Sequence, residues 1–421
     1  MRTHFRAEQL ADPQLIEAEK NLRACVHCGM CTATCPTYVL LGDERDGPRG
    51  RIVMMQQMLE NGGAPSAETV THLDRCLSCL GCRTACPSGV DYARLIDRSR
   101  AHIEQHYRRP ASDRLLRWTI ANVLTRPARA RIALRLGQLA SPLRKLLPSS
   151  LRSMVEMART APVGKLHLQA AAGERRIALL PGCVQQVIAP EIDEAVARLL
   201  ARRGILLVLL EGAGCCGALA HHLGREAEAK VWAARMIEAF EHAGGANAFE
   251  AILISATGCA SHISEYENLF VHEPQWQPRA RAFSEKLLPL EAVLGPPRSR
   301  SENKLRVALQ VPCSQQHGLH WPGSGELLQA AGFEVMHIPE GHLCCGSAGS
   351  YSILQPEIAS ALRARKLANI AAVKPEVVAT TNIGCLQHLS GGDAPPAVHV
   401  FELLDWAEGG PPPRGCAIAR S

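Results

Sequence analysis

Cys25-Val26-His27-Cys28-Gly29-Met30-Cys31-Thr32-Ala33-Thr34-Cys35-Pro36 and Cys76-Leu77-Ser78-Cys79-Leu80-Gly81-Cys82-Arg83-Thr84-Ala85-Cys86-Pro87 carry the same ligand grammar twice. Three thiolates at steps of three residues, then a fourth before proline, form the run of two-cluster ferredoxins. Cysteines three apart in a tight turn reach three irons of one cube. The fourth sits one residue too far on, at the start of a segment leading away, and so reaches the other cube. The expected sets are Cys25, Cys28, Cys31 and Cys86 on one [4Fe–4S] centre, and Cys76, Cys79, Cys82 and Cys35 on the other. Structural zinc also favours Cys-x-x-Cys pairs. It explains neither the third cysteine at the same step nor the Cys-Pro ending of both copies. The pattern implies electron transfer.

The 421-residue length allows two or three domains, and 47% hydrophobic residues suffice for a core. The opening MRTHFRAEQLADPQ has no apolar stretch of the kind a signal peptide needs. The 17 cysteines cluster with Gly and Pro in metal-ligand spacings rather than as a disulfide framework. A reducing cytoplasm is the consistent compartment. Apolar runs such as Ile205 to Leu210 fall far short of the ~20 residues of a spanning helix, so the expectation is a soluble or peripheral protein.

Net charge is +6, and one segment carries it: Arg98 to Arg159 holds fourteen Lys/Arg against three acids. Its leucine-rich helical patches are broken by Pro110, Pro127, Pro142 and Pro148. Arg114, Arg117, Arg131, Arg135 and Arg144 flank apolar positions such as Leu115, Leu116, Leu134 and Leu146. Such helices lie on an anionic membrane surface, dock a partner, or serve as a plain connector with arginines in water. No nucleic-acid motif accompanies the charge. Ahead of it, Asp12 to Cys25 reads as a helix, Asp46 to Arg51 as a turn, and Ile52 to Leu59 as a second helix. Arg49 and Arg51 read either as a solvated turn or as charges offsetting thiolate-ligated clusters.

From Ile177 the chain repeats itself. Strands at Ile177–Leu180, Ile205–Leu210 and Ala251–Ala256 end at Cys183, at Cys215-Cys216-Gly217 and at Cys259, with helices over Pro190–Arg203 and Gly224–His242. A second copy has strands at Leu305–Val311, Phe333–Ile338 and Val377–Ala379 ending at Cys313, at Cys344-Cys345-Gly346 and at Cys385. Its helices cover Gly323–Ala331 and Pro356–Val373. Equivalent cysteines lie 130, 129 and 126 residues apart, which marks an internal duplication. Strand–helix alternation favours a parallel sheet, whose post-strand loops open on one edge. Cys183, Cys215, Cys216 and Cys259 should therefore converge, as should Cys313, Cys344, Cys345 and Cys385. These are candidate ligands of additional centres, beside the Gly346-Ser347-Ala348-Gly349 turn. Gly212-x-Gly214-x-x-Gly217 mimics a dinucleotide fingerprint, but the copies share the cysteine pair, not the glycines. His262 and His388, three residues after Cys259 and Cys385, are ligand or neighbouring histidines. His27 tunes a cluster by hydrogen bonding, and His221 and His222 have no second-copy equivalent. Cys416 reads as a tail thiol. No Ser–His–Asp set or phosphate loop emerges, so no catalytic residue is assigned.

The run from Cys25 to Tyr38, with Leu40-Leu41-Gly42-Asp43-Glu44 and Asp46-Gly47-Pro48-Arg49-Gly50-Arg51-Ile52, resembles the iron–sulfur subunits of bacterial glycolate oxidase (glycolate dehydrogenase). So do His72-Leu73-Asp74-Arg75-Cys76-Leu77, Cys86-Pro87-Ser88-Gly89-Val90, Leu343-Cys344-Cys345-Gly346-Ser347-Ala348-Gly349 and Asn382-Ile383-Gly384-Cys385. The resemblance implies FAD-containing partner subunits that oxidise glycolate to glyoxylate. This chain would pass their electrons toward a respiratory acceptor such as quinone, in the cytoplasm or peripherally on the inner membrane. The carboxy-terminal part resembles the cysteine-rich Cys-Cys-Gly domains of heterodisulfide reductases and anaerobic glycerol-3-phosphate dehydrogenase. Where those domains end in Cys-x-x-Cys, this chain has Cys259-Ala-Ser-His262 and Cys385-Leu-Gln-His388. Rival readings are a thiol–disulfide enzyme or the equivalent subunit of a lactate or glycerol-3-phosphate dehydrogenase. The expected fold is mixed: an α-helical two-[4Fe–4S] ferredoxin domain (1–97), a basic helical connector (98–172), two α/β cysteine-rich repeats with parallel sheets (173–300 and 301–410), and a tail (411–421).

Overall fold

Proline sets where the N-terminal helices begin. The structure, a computed structural model, describes residues 1–142, 163–168, 173–302 and 304–416, with Arg152, Val155 and Ala158. Helix α1 (Pro13–Ala24) starts at a proline behind Asp12, whose side chain accepts from the Gln14 N–H. It stops at Cys25, where the backbone becomes extended, so the first ligand run begins where the helix ends. Helix α2 (Pro36–Leu41) starts at the proline after Cys35, a position where the missing N–H costs nothing. Helix α3 (Pro48–Asn61) begins four residues before the expected Ile52. Pro48 occupies its first turn, and Arg49 and Arg51 are helical rather than part of a turn. Helices α4 (Ala67–Asp74) and α5 (Tyr92–His106) complete the unit. Its core joins Leu22, Met55, Leu59, Leu73, Leu95, Ile96 and Ile103 to Cys25, Cys76 and Cys82. Because Ile103 belongs to this core, α5 runs straight through the boundary expected at residues 97–98.

The basic segment continues as α6 (Ala111–Thr119), a π-helical turn over Ile120–Leu124, and α7 (Pro127–Leu139). It is more than a connector with arginines in water. Arg109 and Arg117 are buried and hold Asp74 at 2.6 and 2.9 Å, while Ile120 and Ala121 pack on Leu223 and Ile353. Arg144, Leu146 and Pro148 lie outside the described residues.

The first repeat comprises β1 (Arg175–Leu179), α8 (Glu191–Ala201), β2 (Ile205–Leu209), α9 (Ala218–His222), α10 (Glu226–His242), β3 (Ala251–Leu253) and α11 (Thr257–Ile263). The second comprises β4 (Arg306–Leu309), α12 (Gly325–Ala330), β5 (Glu334–His337), α13 (Pro356–Ala372), β6 (Val377–Thr380), α14 (Ile383–Leu389), β7 (Ala397–His399) and α15 (Val400–Ala407). The sheets are parallel, ordered β2-β1-β3 and β5-β4-β6-β7. Strand β7 is an addition that the sequence reading did not contain. One apolar core spans both sheets, joining Ile177, Val196 and Leu253 to Val307, Val377 and Phe401. Cys416 is buried in that same core, which corrects its reading as a tail thiol. Burial pushes its thiol up to about 11.

The glycine of each Cys-Cys-Gly is fixed by a long helix packed against it, α10 in the first repeat and α13 in the second. Gly217 and Gly346 have φ of +87° and +97°, and a Cβ there would sit 2.9 Å from the Ala229 carbonyl oxygen and 2.7 Å from that of Ala359. Gly391, also at positive φ (+89°), has open space around it. Gly346→Ala should therefore cost about 3 kcal/mol in denaturant unfolding, and Gly391→Ala about 1 kcal/mol. Equal costs would show that helix contact is not what demands glycine after Cys345.

Candidate iron–sulfur centres

The two ligand runs fold alike. His27 and Gly29 in the first, and Ser78 and Leu80 in the second, all have positive φ, at 56°, 81°, 52° and 62°. Three of these four carry a Cβ, a conformation that costs of order 1 kcal/mol each and persists where surroundings impose it. The loops wrap two adjoining cavities. The outer, of about 430 Å³ including its mouth, is lined by Cys25, Cys28, Cys31 and Cys86, with Arg49 and His27 at its rim. The inner, of about 310 Å³, is lined by Cys35, Cys76, Cys79 and Cys82, with Arg51, Ser78 and Tyr92. Cys82 also borders the outer cavity. Cys86 thus lies with the first run and Cys35 with the second, the crossed grouping of the sequence reading. Cys28 is exposed, as are Val26 and Met30 beside it, whereas Cys35, Cys76 and Cys82 are buried.

Three of these thiols, Cys31, Cys79 and Cys82, resist ionising on their own. Burial, with Cys25, Cys86 and Cys28 nearby, pushes Cys31 up to about 11. Cys79 rises further through burial and then the charges of Cys313 and Cys35, and Cys82 through burial and then Cys79. Four thiolates in one apolar cavity need a cation between them, and thiolate-bound iron supplies it. The donor set fits [4Fe–4S] clusters: eight cysteines line the two cavities, Cys82 bordering both, and no carboxylate lines either one among the described residues.

The repeats also gather their cysteines. In the first, Cys215 is held well below the usual thiol range by hydrogen bonds from Cys183 and Cys216, while those two thiols are pushed up. The Gly217 N–H donates to the Cys215 sulfur at 3.4 Å. In the second, Cys313 and Cys344 sulfurs are 3.8 Å apart, and those of Cys345 and Cys385 3.5 Å apart. The histidines diverge. His388 Nε2 bonds the Ala359 carbonyl at 3.2 Å, and burial drops its pKa to about 4. His262 is buried with Nε2 unpartnered among the described residues, its ring tilted against that of His221 at 5.0 Å. His27 is exposed and engages Arg49 through its carbonyl (3.3 Å).

The second repeat abuts the inner cavity. Leu77 and Cys79 pack with Cys313, Cys344, Tyr351 and Leu362. Thr84 Oγ1 lies 2.9 Å from His317 Nδ1, and the Tyr351 hydroxyl donates to the Arg75 carbonyl at 2.9 Å. The buried Lys366 ammonium lies within electrostatic reach of Cys345, Cys344 and Cys385 and donates to the Glu340 carbonyl (2.9 Å). Counted from Ala229 and Ala359, the corresponding first-repeat residue is Met236.

Two family models match the chain: a 4Fe-4S dicluster domain over residues 21–90 and a cysteine-rich domain over 177–264 and again over 307–390. The glycolate oxidase iron-sulfur subunit of Escherichia coli (strain K12) is 39% identical over 416 residues, covering 97% of this chain and 99% of that protein. The chain belongs to this family. The probable glycolate oxidase iron-sulfur subunit of Bacillus subtilis (strain 168) is 30% identical, covering 93% of this chain and 95% of its own length. Lactate utilization protein A 2 of Bacillus cereus (strain Q1) is 26% identical over 51% of this chain and 90% of its own. Members of the family are iron–sulfur electron-transfer subunits, and this chain, with its 4Fe-4S dicluster domain, is one of them. Arg100, Tyr92, Tyr351, His317 and Lys366 are site neighbours that sequence reasoning missed, since no local motif marks them.

Proposed function

We propose that Cys25, Cys28, Cys31 and Cys86 hold one [4Fe–4S] cluster and Cys35, Cys76, Cys79 and Cys82 the other. In this reading the chain serves a complex whose FAD-containing subunits oxidise glycolate to glyoxylate. Bound there, the clusters supply one-electron relays between flavin and a respiratory acceptor such as quinone. The observation that carries the substrate class is the likeness to the Escherichia coli glycolate oxidase subunit along nearly the whole chain. The lactate-utilisation relatives cover only half of it. The outer cavity, with exposed Val26 and Met30 beside exposed Cys28, suits the flavoprotein side, and the inner cavity, with Cys35 and Cys76 buried, adjoins the second repeat. A thiol–disulfide enzyme is disfavoured because Cys215, Cys216, Cys344, Cys345 and Cys385 are all buried, out of reach of a disulfide substrate.

The second repeat is the better candidate for a further iron–sulfur centre, held by Cys313, Cys344, Cys345 and Cys385. Its buried Lys366 offers a countercharge for an anionic group where the first repeat, with Cys183, Cys215, Cys216 and Cys259, has Met236. It also adjoins Cys79.

Among the described residues no helix is long and apolar enough to cross a membrane. Helices α6 and α7 nevertheless expose Leu115, Trp118, Ile132, Leu136 and Leu139. Arg114, Arg129 and Arg135 are exposed beside them and have no carboxylate partner among the described residues. Apolar residues with tryptophan, spaced by unpaired arginines, fit an anionic membrane surface. Arg117, being buried, is not part of this face.

Anaerobically purified protein should carry at least eight irons and be reduced by glycolate when its flavoprotein partner is added. Cys86→Ser should damage the centre of Cys25, Cys28 and Cys31, and Cys35→Ser the other. The opposite pattern would refute the crossed assignment, and reduction by lactate but not glycolate would refute the substrate class.

Cys344→Ser with Cys345→Ser should remove iron beyond the first eight, and Lys366→Met should weaken its retention. An iron content of eight in the native protein and in both variants would end the case for a further centre.

The protein should sediment with vesicles containing phosphatidylglycerol and not with pure phosphatidylcholine, and binding should fall as salt shortens the ~8 Å screening length. Replacing Arg114, Arg129 and Arg135 with Gln should cost about 3 kcal/mol of binding, near a hundredfold, with iron unchanged. Equal sedimentation of variant and native protein would assign this face to another role.

A further inference from the structure

Both cavities have an arginine from the first turn of α3, but the two arginines differ in kind. Arg49 keeps 35% of its side chain exposed and pairs with Glu44 at 2.6 Å. Arg51 is 1% exposed and lines the inner cavity. Its Nη1 lies 3.8 Å from the Cys35 sulfur, its Nη2 donates to Thr37 Oγ1 at 3.1 Å, and its Nε donates to the His72 carbonyl at 2.8 Å. The one carboxylate near it is Asp46, whose Oδ1 lies 3.5 Å away. Asp46 is shared: Arg75 donates to its Oδ2 at 2.9 Å, and His72 Nδ1 lies 2.9 Å from its Oδ1. Asp43, Asp46 and His72 bring three potential metal-ligand atoms together, but with these contacts Asp46 is already committed to the guanidinium groups.

The charges around the inner cavity therefore do not cancel. Arg51 and Arg75 share one carboxylate. Arg100, also buried, donates to the Cys76 carbonyl at 2.7 Å and to Ser78 Oγ at 2.6 Å, with no ion pair among the described residues. Hydrogen bonds to sulfur add to the excess: the Ser78 N–H reaches the Cys76 sulfur at 3.5 Å and the Tyr92 hydroxyl at 3.8 Å. Among the described residues, no side-chain hydrogen bond reaches the sulfurs of Cys25, Cys28, Cys31 or Cys86, and only the Cys31 backbone N–H lies against its own sulfur.

We propose that Arg51, seconded by Arg100 and Tyr92, makes the inner four-cysteine site the more easily reduced of the two. The proposal rests on the cluster assignment above. Each site takes up one electron, which adds one negative charge. Burial alone would oppose that charge at the inner site more than at the exposed outer one. A fixed positive charge and hydrogen bonds to the ligand sulfurs act the other way, and the inner site has the stronger share of both, since Arg51 is buried whereas Arg49 is part-exposed and paired with Glu44. Arg51 is a positioning residue here: it holds Thr37 and Asp46 in place and contributes its own charge. The consequence is direction, because an electron arriving on the exposed side is drawn toward the side that adjoins the second repeat.

A dithionite titration of the native protein, followed by EPR with iron counted in each sample, reads this out. Two reduction waves are expected from these two sites, counted apart from any wave that Cys344→Ser with Cys345→Ser removes. Arg51→Gln should lower the upper wave by at least a tenfold change in its one-electron equilibrium, about 59 mV, and move the lower wave less. Arg51→Lys should restore most of the shift, and Arg49→Gln, which touches only the outer cavity, should leave the upper wave in place. Should Arg51→Gln fail to hold iron, Tyr92→Phe decides, since it keeps the ring and removes the hydroxyl near Cys76; the upper wave should again fall. Eight irons with unmoved waves in these variants, or a shift confined to the lower wave, would overturn the proposal. Fewer than eight irons in the native protein would instead overturn the cluster assignment.

Discussion

Eight thiolates crowded into two adjoining apolar cavities set the terms for the rest of this molecule. Like charges at such spacing repel strongly wherever water cannot screen them. Burial and mutual repulsion accordingly push Cys31, Cys79 and Cys82 upward. The surrounding structure answers that charge in layers. The loops turn through left-handed positions at His27, Gly29, Ser78 and Leu80, bringing the ligands round each cavity. Helix α3 then brings Arg51 behind the inner one, and α5 supplies Arg100 and Tyr92. Helix α6 adds nothing to the cavities directly. Its Arg117, with Arg109, grips Asp74 at the end of α4, two residues before Cys76, and so steadies the strand of loop that carries the second run.

The duplicated repeats show how one architecture diverges in charge while keeping its geometry. In both, the post-strand loops place four cysteines at the same edge of a parallel sheet, and in both a glycine admits the long helix packed against it. Their surroundings differ. The second set has Lys366 behind it and Cys79 in front, whereas the first has Met236 behind it and His221, His222 and His262 nearby. His222 and His262 are both held neutral by burial, with pKa values pulled down. Two imidazoles held neutral bring no countercharge to an anion. Electrostatically the two copies are therefore unequal sites, and the countercharge lies in the copy that packs on Leu77 and Cys79 of the inner cavity.

Much of this was legible in the sequence because its signals are local. A cysteine spacing fixes which thiols share a turn, and a strand ending at a cysteine, repeated at near-constant offset, places the thiols on one sheet edge. The parallel sheets and the convergence of each set follow from those facts. Boundaries shifted where a terminal residue served as a cap or a turn: α3 began at Pro48, and the strand expected to reach Ala256 ended at Leu253, where the chain turns toward α11. What sequence could not give is the partner of a charged side chain. Arg117 and Arg135 look alike in a basic segment, yet one is buried on Asp74 and the other is exposed. Lys366 sits in a stretch, Arg363-Ala364-Arg365-Lys366, that reads as a solvated helix face, and only the fold shows that its ammonium is buried. Cys416 follows a proline-rich tail and still enters the core, because α15 returns the chain to the joint between the two sheets.

Arg49 and Arg51 bring the point to its sharpest form. They stand two residues apart in one motif, Asp46-Gly47-Pro48-Arg49-Gly50-Arg51, and as a turn they would be equivalent. A helix advances about 100° per residue, so two residues within its first turn point to nearly opposite sides. Once Pro48 starts α3 there rather than at Ile52, one arginine must face solvent and the other must face the core. Gly50 between them has no room for a side chain, since a Cβ would lie 2.1 Å from the Glu44 carbonyl oxygen; that contact seats the helix start against the preceding turn. The same turn supplies Asp46 to Arg51 and Glu44 to Arg49. The position of a single helix start thus separates a surface ion pair from a buried cation beside Cys35, and with it the electrostatic difference between the two cavities.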